Sequence, residues 1–475
     1  LYAGWRAGAA VVLADKGLGL RGMGRALRGA NLDHVVGTAQ GLAAAAAMRL
    51  PGTRWLAGPA TAVQRRVLRV RAELPKTADA AVRQAGLPEV AGTAEAAVVF
   101  TSGATGPAKG VLYLHRQVQA QLDVVRQTYR LTEHDRIVAG FAPFALLGPA
   151  LGVGSAVPAI DVTRPATLTA GALADAVLAI EASVVFGSPA ALRTVAGTAG
   201  GLSPAQRSAL GGIRLLMSAG APVGLQLLRQ LAELLPAAEL HTPYGMTEVL
   251  PVTDVSLPEL ERAGAGDGVC VGRPVAGVQV KISALDALGG DVGKLTAEPD
   301  VVGEICVRAA HAKQRYEALW ATERASSREP GWHRTGDVGK LDDEGRLWVQ
   351  GRRQHLITAA GGLLTPVGLE QRIAGVPGIA AAAVVGIGPA GTQQLVAVVV
   401  ADEPERRRRR PAAGRVRVAG IDRADAVRAA LDVPVAAVLL TDRLPVDIRH
   451  ASKVDRTALA GWAETVLAGR ACGSC

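Results

Sequence analysis

The chain has 475 residues, of which 49% are hydrophobic and 20% charged. That length exceeds what one core grows to, so two or more domains are expected, and the apolar fraction excludes disorder as the default state. The net charge is +10, the arginine run 406–410 invites a nucleic-acid or acidic-membrane reading, and no uninterrupted apolar run approaches the roughly 18 residues of a membrane span.

Residues 1–10 read as the middle of a helix that leads to a strand over 11–14. The apolar run 96–100 precedes Thr101-Ser-Gly-Ala-Thr-Gly-Pro-Ala-Lys-Gly110, and an amphipathic stretch over 115–129 follows. Three glycines let the backbone approach an anion, Thr101, Ser102 and Thr105 offer hydroxyls, and Lys109 adds a point charge. Strand, loop and helix start together predict a phosphate cradle, and hence a nucleotide. A kinase-type P-loop is excluded, because Lys109 lies between Ala108 and Gly110 instead of between Gly and Ser or Thr.

Apolar stretches of strand length then alternate with helical periods, the pattern of α/β layers. Residues 184–186, 214–217 and the segment to His241 are predicted core strands, with a helix over 225–235 between two of them. After 301–307 and 346–349 the pattern is strand-rich. A smaller unit follows: helix 367–373, strands 380–385 and 395–400, helix 423–430, strand 435–440 and helix 456–467. The boundary is placed near Gln354, giving domains of 1–350 and 355–475. No fixed repeat of about 20 to 50 residues is present.

Further motifs occur in order. They are Ser218-Ala-Gly-Ala-Pro222, Tyr244-Gly-Met-Thr-Glu248, Gly272-Arg-Pro274, Thr335-Gly-Asp337, Gly351-Arg352, and Leu444-Pro-Val-Asp-Ile-Arg-His-Ala-Ser-Lys453-Val-Asp-Arg456. With the loop at 101–110 they resemble, over nearly the whole chain, the adenylate-forming superfamily of acyl-CoA synthetases, peptide-synthetase adenylation domains and luciferases. The chain departs from the usual loop at Ala104, which lacks a hydroxyl, and at Pro107-Ala108, where the proline is displaced by one.

The resemblance implies an α/β fold: a large multi-layer adenylation domain whose opening βα portion is missing, and a small mobile α+β lid. It implies an ATP-dependent ligase that uses Mg²⁺ to adenylate a carboxylic acid. Thr101, Ser102, Gly103, Ala104, Thr105, Gly106 and Lys109 would then cradle the triphosphate, with Glu248 and Thr105 as Mg²⁺ contacts. Gly220, Ala221, Pro222, Tyr244 and Gly245 would line the adenine site. Asp337 would accept the ribose hydroxyls with Arg352 nearby, and Lys453 and Thr247 would be catalytic.

Several segments resemble one branch, the β-lactone synthetases of olefin biosynthesis. These are Phe141-Ala-Pro-Phe-Ala-Leu-Leu-Gly-Pro-Ala150, Asp161-Val-Thr-Arg-Pro165, His241-Thr-Pro-Tyr-Gly, Leu250-Pro251 and Pro445-Val-Asp-Ile-Arg-His450. The branch implies a 2-alkyl-3-hydroxy fatty acid as substrate, a β-lactone as product, and partner enzymes of the same pathway. Phe141, Phe144, Leu146 and Leu147 are candidate apolar walls. Gln354 and Thr358 stand where acyl-CoA synthetases carry Asp or Lys and then Lys. The alternatives are a fatty acyl-CoA synthetase or acyl-AMP ligase, and an inactive nucleotide-binding fragment.

Only eight of the 52 basic residues are Lys, and Lys109 and Lys453 are two of them. The arginine run 406–410 reads as a solvated loop beside Asp402, Glu403 and Glu405, with no nucleic-acid partner, since no aromatic platform accompanies it. Cys472 and Cys475 read as a reduced tail, and His115, His241, His333 and His450 as structural, although His450 lies close enough to Lys453 in sequence to touch substrate or phosphate. With no signal peptide visible, the cytoplasm is the expected location.

Overall fold

The computed structural model describes residues 1–14, 18–74, 89–101, 108–161, 164–402, 416–445 and 454–470. The chain gathers into two compact units. One comprises Leu1–Gln121, Thr247–Leu250 and Ala310–Ser327; the other comprises Leu122–Met246, Pro251–Ala309 and Arg328–Cys475.

In the first unit the helix Tyr2–Arg6 ends before Gly8, whose φ is 77°, and strand Val11–Ala14 follows. Val11–Ala14 runs parallel to Glu95–Thr101, which pairs antiparallel with Lys109–Leu114. Arg315–Glu317 completes this four-stranded sheet, antiparallel to Lys109–Leu114. A second, all-parallel sheet of His34–Gly37, Thr53–Leu56 and Val70–Glu73 packs around Leu42, Leu56 and Leu68.

The hairpin corrects one expectation. Thr101 pairs with Lys109, so the Gly-rich segment joins two antiparallel strands, and helix His115–Thr128 starts only after the second of them. The strand-loop-helix order expected from the sequence is therefore a strand-loop-strand order. The run Gly110-Val-Leu-Tyr-Leu114 is buried at every residue, and a continuously apolar strand lacks the alternation that would have marked it. Gly110 is required by packing: a Cβ there would lie 2.9 Å from the Phe100 ring.

The second unit begins as an open parallel sheet in the order Glu239–His241, Leu215–Ser218, Val184–Gly187, Arg136–Ala139, Gly154–Ala156. All three core strands expected here form. Helices Ala170–Ile180, Pro189–Thr198 and Pro204–Gly211 start at Thr169, Ser188 and Ser203, whose hydroxyls accept from backbone N–H groups three residues on. With few aromatics available, the core is built from aliphatics such as Leu173, Leu192, Leu210, Leu216 and Leu231.

A six-stranded antiparallel sheet follows, in which Leu347–Arg352, His333–Leu341, Gly303–Arg308 and Gln279–Leu285 are consecutive neighbours. The C-terminal part is α+β, as expected. Ile379–Ile387, Gln394–Ala401, Ala437–Thr441 and Arg417–Val418 form one sheet in that order. Alternation along Gln394–Ala401 sends Ala397 and Val399 into a core with Leu369 and Ile373 of helix Pro366–Ala374, and Val396 and Val398 into another with Leu459 and Ala463 of helix Arg456–Leu467.

Gly272 takes a φ of 80°, and a Cβ there would lie 1.9 Å from the Asp254 carbonyl oxygen. Gly272→Ala should therefore cost about 3 kcal/mol or more, combining backbone strain with overpacking. Gly336, at φ 75° with no atom within 4 Å of such a Cβ, should cost only about 1 to 2 kcal/mol as Ala. Urea denaturation of the two variants gives the comparison; equal midpoints would show that the Gly272 turn yields.

Candidate active site

Strand His333–Leu341 lies antiparallel to Leu347–Arg352, which sets Asp337 opposite Arg352. Asp337 is only 7% exposed. Arg352 Nε lies 2.8 Å from its Oδ1, and the Tyr244 hydroxyl donates to its Oδ2 at 2.7 Å. Burial together with the Asp337 charge holds the Tyr244 phenol well above its ordinary range, so it stays a donor. Three residues widely separated in sequence thus meet at one carboxylate. Each carboxylate oxygen has further acceptor capacity, which suits a vicinal diol.

The strand residues before Asp337, where Gly336 takes a φ of 75°, are tied down beneath. Thr335 Oγ1 donates to Ile305 O at 2.9 Å and accepts from Asp337 N at 3.0 Å, while Gly336 N donates to Glu304 Oε1 at 3.1 Å. Glu304 Oε2 receives both Arg334 Nη2 and Arg353 Nη1 at 2.7 Å. Arg334 also pairs with Asp291 at 2.7 Å.

Ser218 ends strand Leu215–Ser218 at the carboxyl edge of the parallel sheet, where open α/β sheets bind ligands. It is 1% exposed, and its Oγ finds no hydrogen-bond partner among the described residues. Gly220, at φ 99°, then turns the chain toward Ala221 and Pro222. On the neighbouring strand end, His241 Nδ1 lies 2.5 Å from Asp254 Oδ2, and the Tyr129 hydroxyl donates to Asp254 Oδ1 at 3.1 Å. Burial alone would lower the His241 pKa, but Asp254 and Glu239 outweigh it and raise it. His241 is thus a satisfied structural group. Phe144 stacks on Phe186 with ring centroids 3.7 Å apart.

In the first unit a second cluster surrounds Glu248, which is 9% exposed. Its Oε1 accepts from the Tyr316 hydroxyl at 2.6 Å. The Tyr113 hydroxyl donates to the carbonyl of Thr247, and Lys313 N donates to the Glu248 carbonyl at 2.7 Å. Lys109 Nζ lies 5.3 Å from the Tyr316 ring centroid and Lys313 Nζ 4.3 Å. Burial and the Glu248 charge raise the pKa of both tyrosines, leaving them neutral donors.

The structure therefore gathers Tyr244, Asp337 and Arg352 at one carboxylate, and Lys109 with Thr247 and Glu248 around Tyr113 and Tyr316. Gly245 lies in the short strand Tyr244–Met246. Ser102, Gly103, Ala104, Thr105, Gly106 and Lys453 lie outside the described residues, as do the Thr101 side chain, the arginine run 406–410, Cys472 and Cys475. Tyr113, Tyr316, Lys313, Glu304 and Arg353 were not foreseen. Lys313 could have been flagged, being one of only eight lysines.

The sequence pattern described as "AMP-binding enzyme" matches residues 1–316. This chain belongs to the AMP-binding enzyme family. Such an enzyme is an adenylate-forming ligase, and ATP is the nucleotide that its chemistry consumes. Among curated relatives, the olefin beta-lactone synthetase of Stenotrophomonas maltophilia strain K279a is 35% identical over 99% of this chain and 85% of its own length. The olefin beta-lactone synthetase of Xanthomonas campestris pv. campestris is 35% identical over 79% of this chain and 68% of its own. The fold matches that of an amide bond synthetase from Marinactinospora thermotolerans, with a TM-score of 0.75 at 23% identity over 97% of this chain and 86% of that one.

Two outcomes follow for this AMP-binding enzyme. Asp337→Ala should weaken nucleotide binding by about 1.5 to 3 kcal/mol, the range for hydrogen bonds to a charged group, as measured by calorimetric titration with AMP. Unchanged affinity would reduce the Thr335-Gly-Asp337 turn to scaffolding. His355 is the other case: burial, reinforced by Arg456 and Arg352, lowers its pKa from 6.5 to about 4. The unfolded chain then binds the extra proton, so this contribution to stability is intact above pH 6.5 and is lost as pH falls toward 4. His355→Gln should show a smaller loss of denaturation midpoint than the parent between about pH 7.5 and about pH 5.

Proposed function

We propose that the protein converts a 2-alkyl-3-hydroxy fatty acid to a β-lactone, consuming ATP and releasing AMP and pyrophosphate. The observation that carries this reading is the 35% identity to an olefin beta-lactone synthetase along 99% of the chain. The buried Tyr244–Asp337–Arg352 constellation supports the nucleotide half of the reaction.

The chemistry has two steps. A carboxylate oxygen attacks the α-phosphorus of ATP; the bond to the β-phosphate breaks and pyrophosphate leaves. The 3-hydroxyl oxygen then attacks the acyl carbon, the bond to the AMP oxygen breaks, AMP leaves with the electron pair, and the hydroxyl proton is released. Because nucleophile and carbonyl belong to one molecule, the second step asks for orientation more than for a second binding site. Ring strain opposes closure, and departure of AMP offsets it if water is excluded.

The residues take the following roles. Asp337 accepts the ribose hydroxyls while Arg352 and Tyr244 hold it; Tyr244 and Gly245, with Gly220, Ala221 and Pro222, flank adenine. Lys109 and the backbone of Thr101, Ser102, Gly103, Ala104 and Gly106 meet the triphosphate. Lys453, aided by Thr247, neutralises charge that develops on the α-phosphate and carboxylate.

Glu248 fits a Mg²⁺ site: it is buried, Tyr316 binds one carboxylate oxygen, and the other makes no hydrogen bond to a described residue. Mg²⁺ commonly takes one or two carboxylates and completes its shell with phosphate oxygens and water, so Glu248 with Thr105 would hold it and its charge would neutralise the triphosphate. Residues 355–475 act as the lid that brings Lys453 into place. The setting is the cytoplasm, beside the enzymes that make the hydroxy acid and consume the lactone.

Lys453→Ala should slow adenylate formation about a hundredfold or more with ATP binding retained, because the lost charge acts mainly in the transition state. Pyrophosphate release and calorimetry separate the two; an equal loss of ATP affinity would contradict the role. The parent protein, given the 2-alkyl-3-hydroxy acid and ATP with Mg²⁺, should release AMP and a β-lactone with no thiol present. Product that forms only with coenzyme A, or equal turnover of the 3-deoxy acid to a thioester, would make it an acyl-CoA synthetase.

A further inference from the structure

The side chain best placed to govern both charges expected at the triphosphate is one that no motif marks. Tyr316 lies in the short strand Arg315–Glu317, paired with Val111 of the strand that begins at Lys109. It is 5% exposed. Its hydroxyl donates to Glu248 Oε1 at 2.6 Å, and its ring faces Lys109 Nζ at 5.3 Å and Lys313 Nζ at 4.3 Å. One phenol thus touches the candidate metal-binding carboxylate at its polar end and the loop lysine at its face.

The mounting behind it is unusually complete. Glu323 Oε2 accepts from Tyr316 N at 2.8 Å and binds Lys313 Nζ at 2.6 Å, while its Oε1 accepts from Ser327 Oγ at 2.5 Å. Glu323 lies in helix Trp320–Ser326, immediately after the strand. The Lys313 side chain is 3% exposed, so its ammonium has left water for this carboxylate and the Tyr316 ring. Lys313 N in turn donates to the Glu248 carbonyl at 2.7 Å. The segment from Lys313 to Glu323 therefore grips Glu248 at its backbone and, through Tyr316, at its side chain.

A carboxylate buried to this degree would be free to rotate if its single described side-chain donor were removed. With Oε1 occupied by the phenol, Oε2 is left as the oxygen available to a cation. Outer partners of this kind fix ligand orientation, and their loss typically lowers metal affinity or activity about 10- to 100-fold.

We propose that Tyr316 is a positioning residue that presents Glu248 to the Mg²⁺ of the bound triphosphate and holds Lys109 beside it, with Lys313 and Glu323 as its mount. The proposal rests on the reading of Glu248 as a metal contact in acid adenylation. Tyr316→Phe keeps the ring against both lysines and deletes the donor to Glu248. Tyr316→Leu deletes the ring as well.

The test uses the full chain, with Mn²⁺ binding in the presence of ATP followed by solvent-proton relaxation and pyrophosphate release measured in parallel. Tyr316→Phe should weaken Mn²⁺ binding about tenfold or more and leave metal-free ATP affinity unchanged, and Tyr316→Leu should weaken metal-free ATP binding too. Combining Tyr316→Phe with Glu248→Gln should weaken Mn²⁺ no further than Glu248→Gln alone, because one acts through the other; a merely structural role would add. Parent-like metal binding by Tyr316→Phe overturns the proposal while adenylation stands. Additive losses also overturn it. If the parent releases no pyrophosphate with any acid, yet Tyr316→Phe loses Mn²⁺ and the double variant loses no more, the adenylation reading fails and the positioning role holds.

Discussion

The site around Asp337 depends on holding one carboxylate away from water. Removing Asp337 from solvent costs several kcal/mol unless strong partners replace its hydration, and a guanidinium and a phenol do so at 2.8 and 2.7 Å. Those partners come from two different supports. Arg352 arrives by strand register, directly opposite Asp337, and Tyr244 by the short strand Tyr244–Met246 that follows the parallel sheet. Because each holds one oxygen, losing either would leave an incompletely paired buried charge, which costs more than the pair contributes.

The same solution recurs through the molecule. Among five tyrosines, Tyr129, Tyr244 and Tyr316 each donate to a carboxylate: Asp254, Asp337 and Glu248. Burial and the neighbouring negative charge hold these phenols above their ordinary range, so each is a donor at neutral pH. A phenol brings a rigid apolar body with one directed hydroxyl, which suits a core otherwise built of aliphatic side chains. The Glu304–Arg334–Arg353 network beneath Thr335-Gly-Asp337 is the guanidinium counterpart, fixing the turn from below.

Much of this was legible in the sequence. The parallel strands ending at Gly187, Ser218 and His241 stood out as short apolar runs between helical periods, and the C-terminal helices and strands were readable element by element. Tyr244, Asp337 and Arg352 were legible as motif members, since each stands next to a glycine in a short recognisable motif. The strand Lys109–Leu114 was not, because burial on both faces removes alternation and leaves a short apolar run that merges with the helix beyond it. Tyr316 and Lys313 were not either. Their importance lies in what the strand pairing Val111 to Tyr316 brings beside them, and nothing local in Lys313-Gln-Arg-Tyr316 signals that contact.

The central claim is that the carboxylate is activated and the substrate's own hydroxyl displaces the nucleotide. Oxygen labelling reads this most directly. With ¹⁸O in both carboxylate positions, the account predicts one labelled oxygen in the released AMP and the other in the lactone carbonyl, and with ¹⁸O in the 3-hydroxyl it predicts full retention in the ring. Label passing from the 3-hydroxyl into AMP or phosphate would mean that the hydroxyl is the group activated, and would contradict the account.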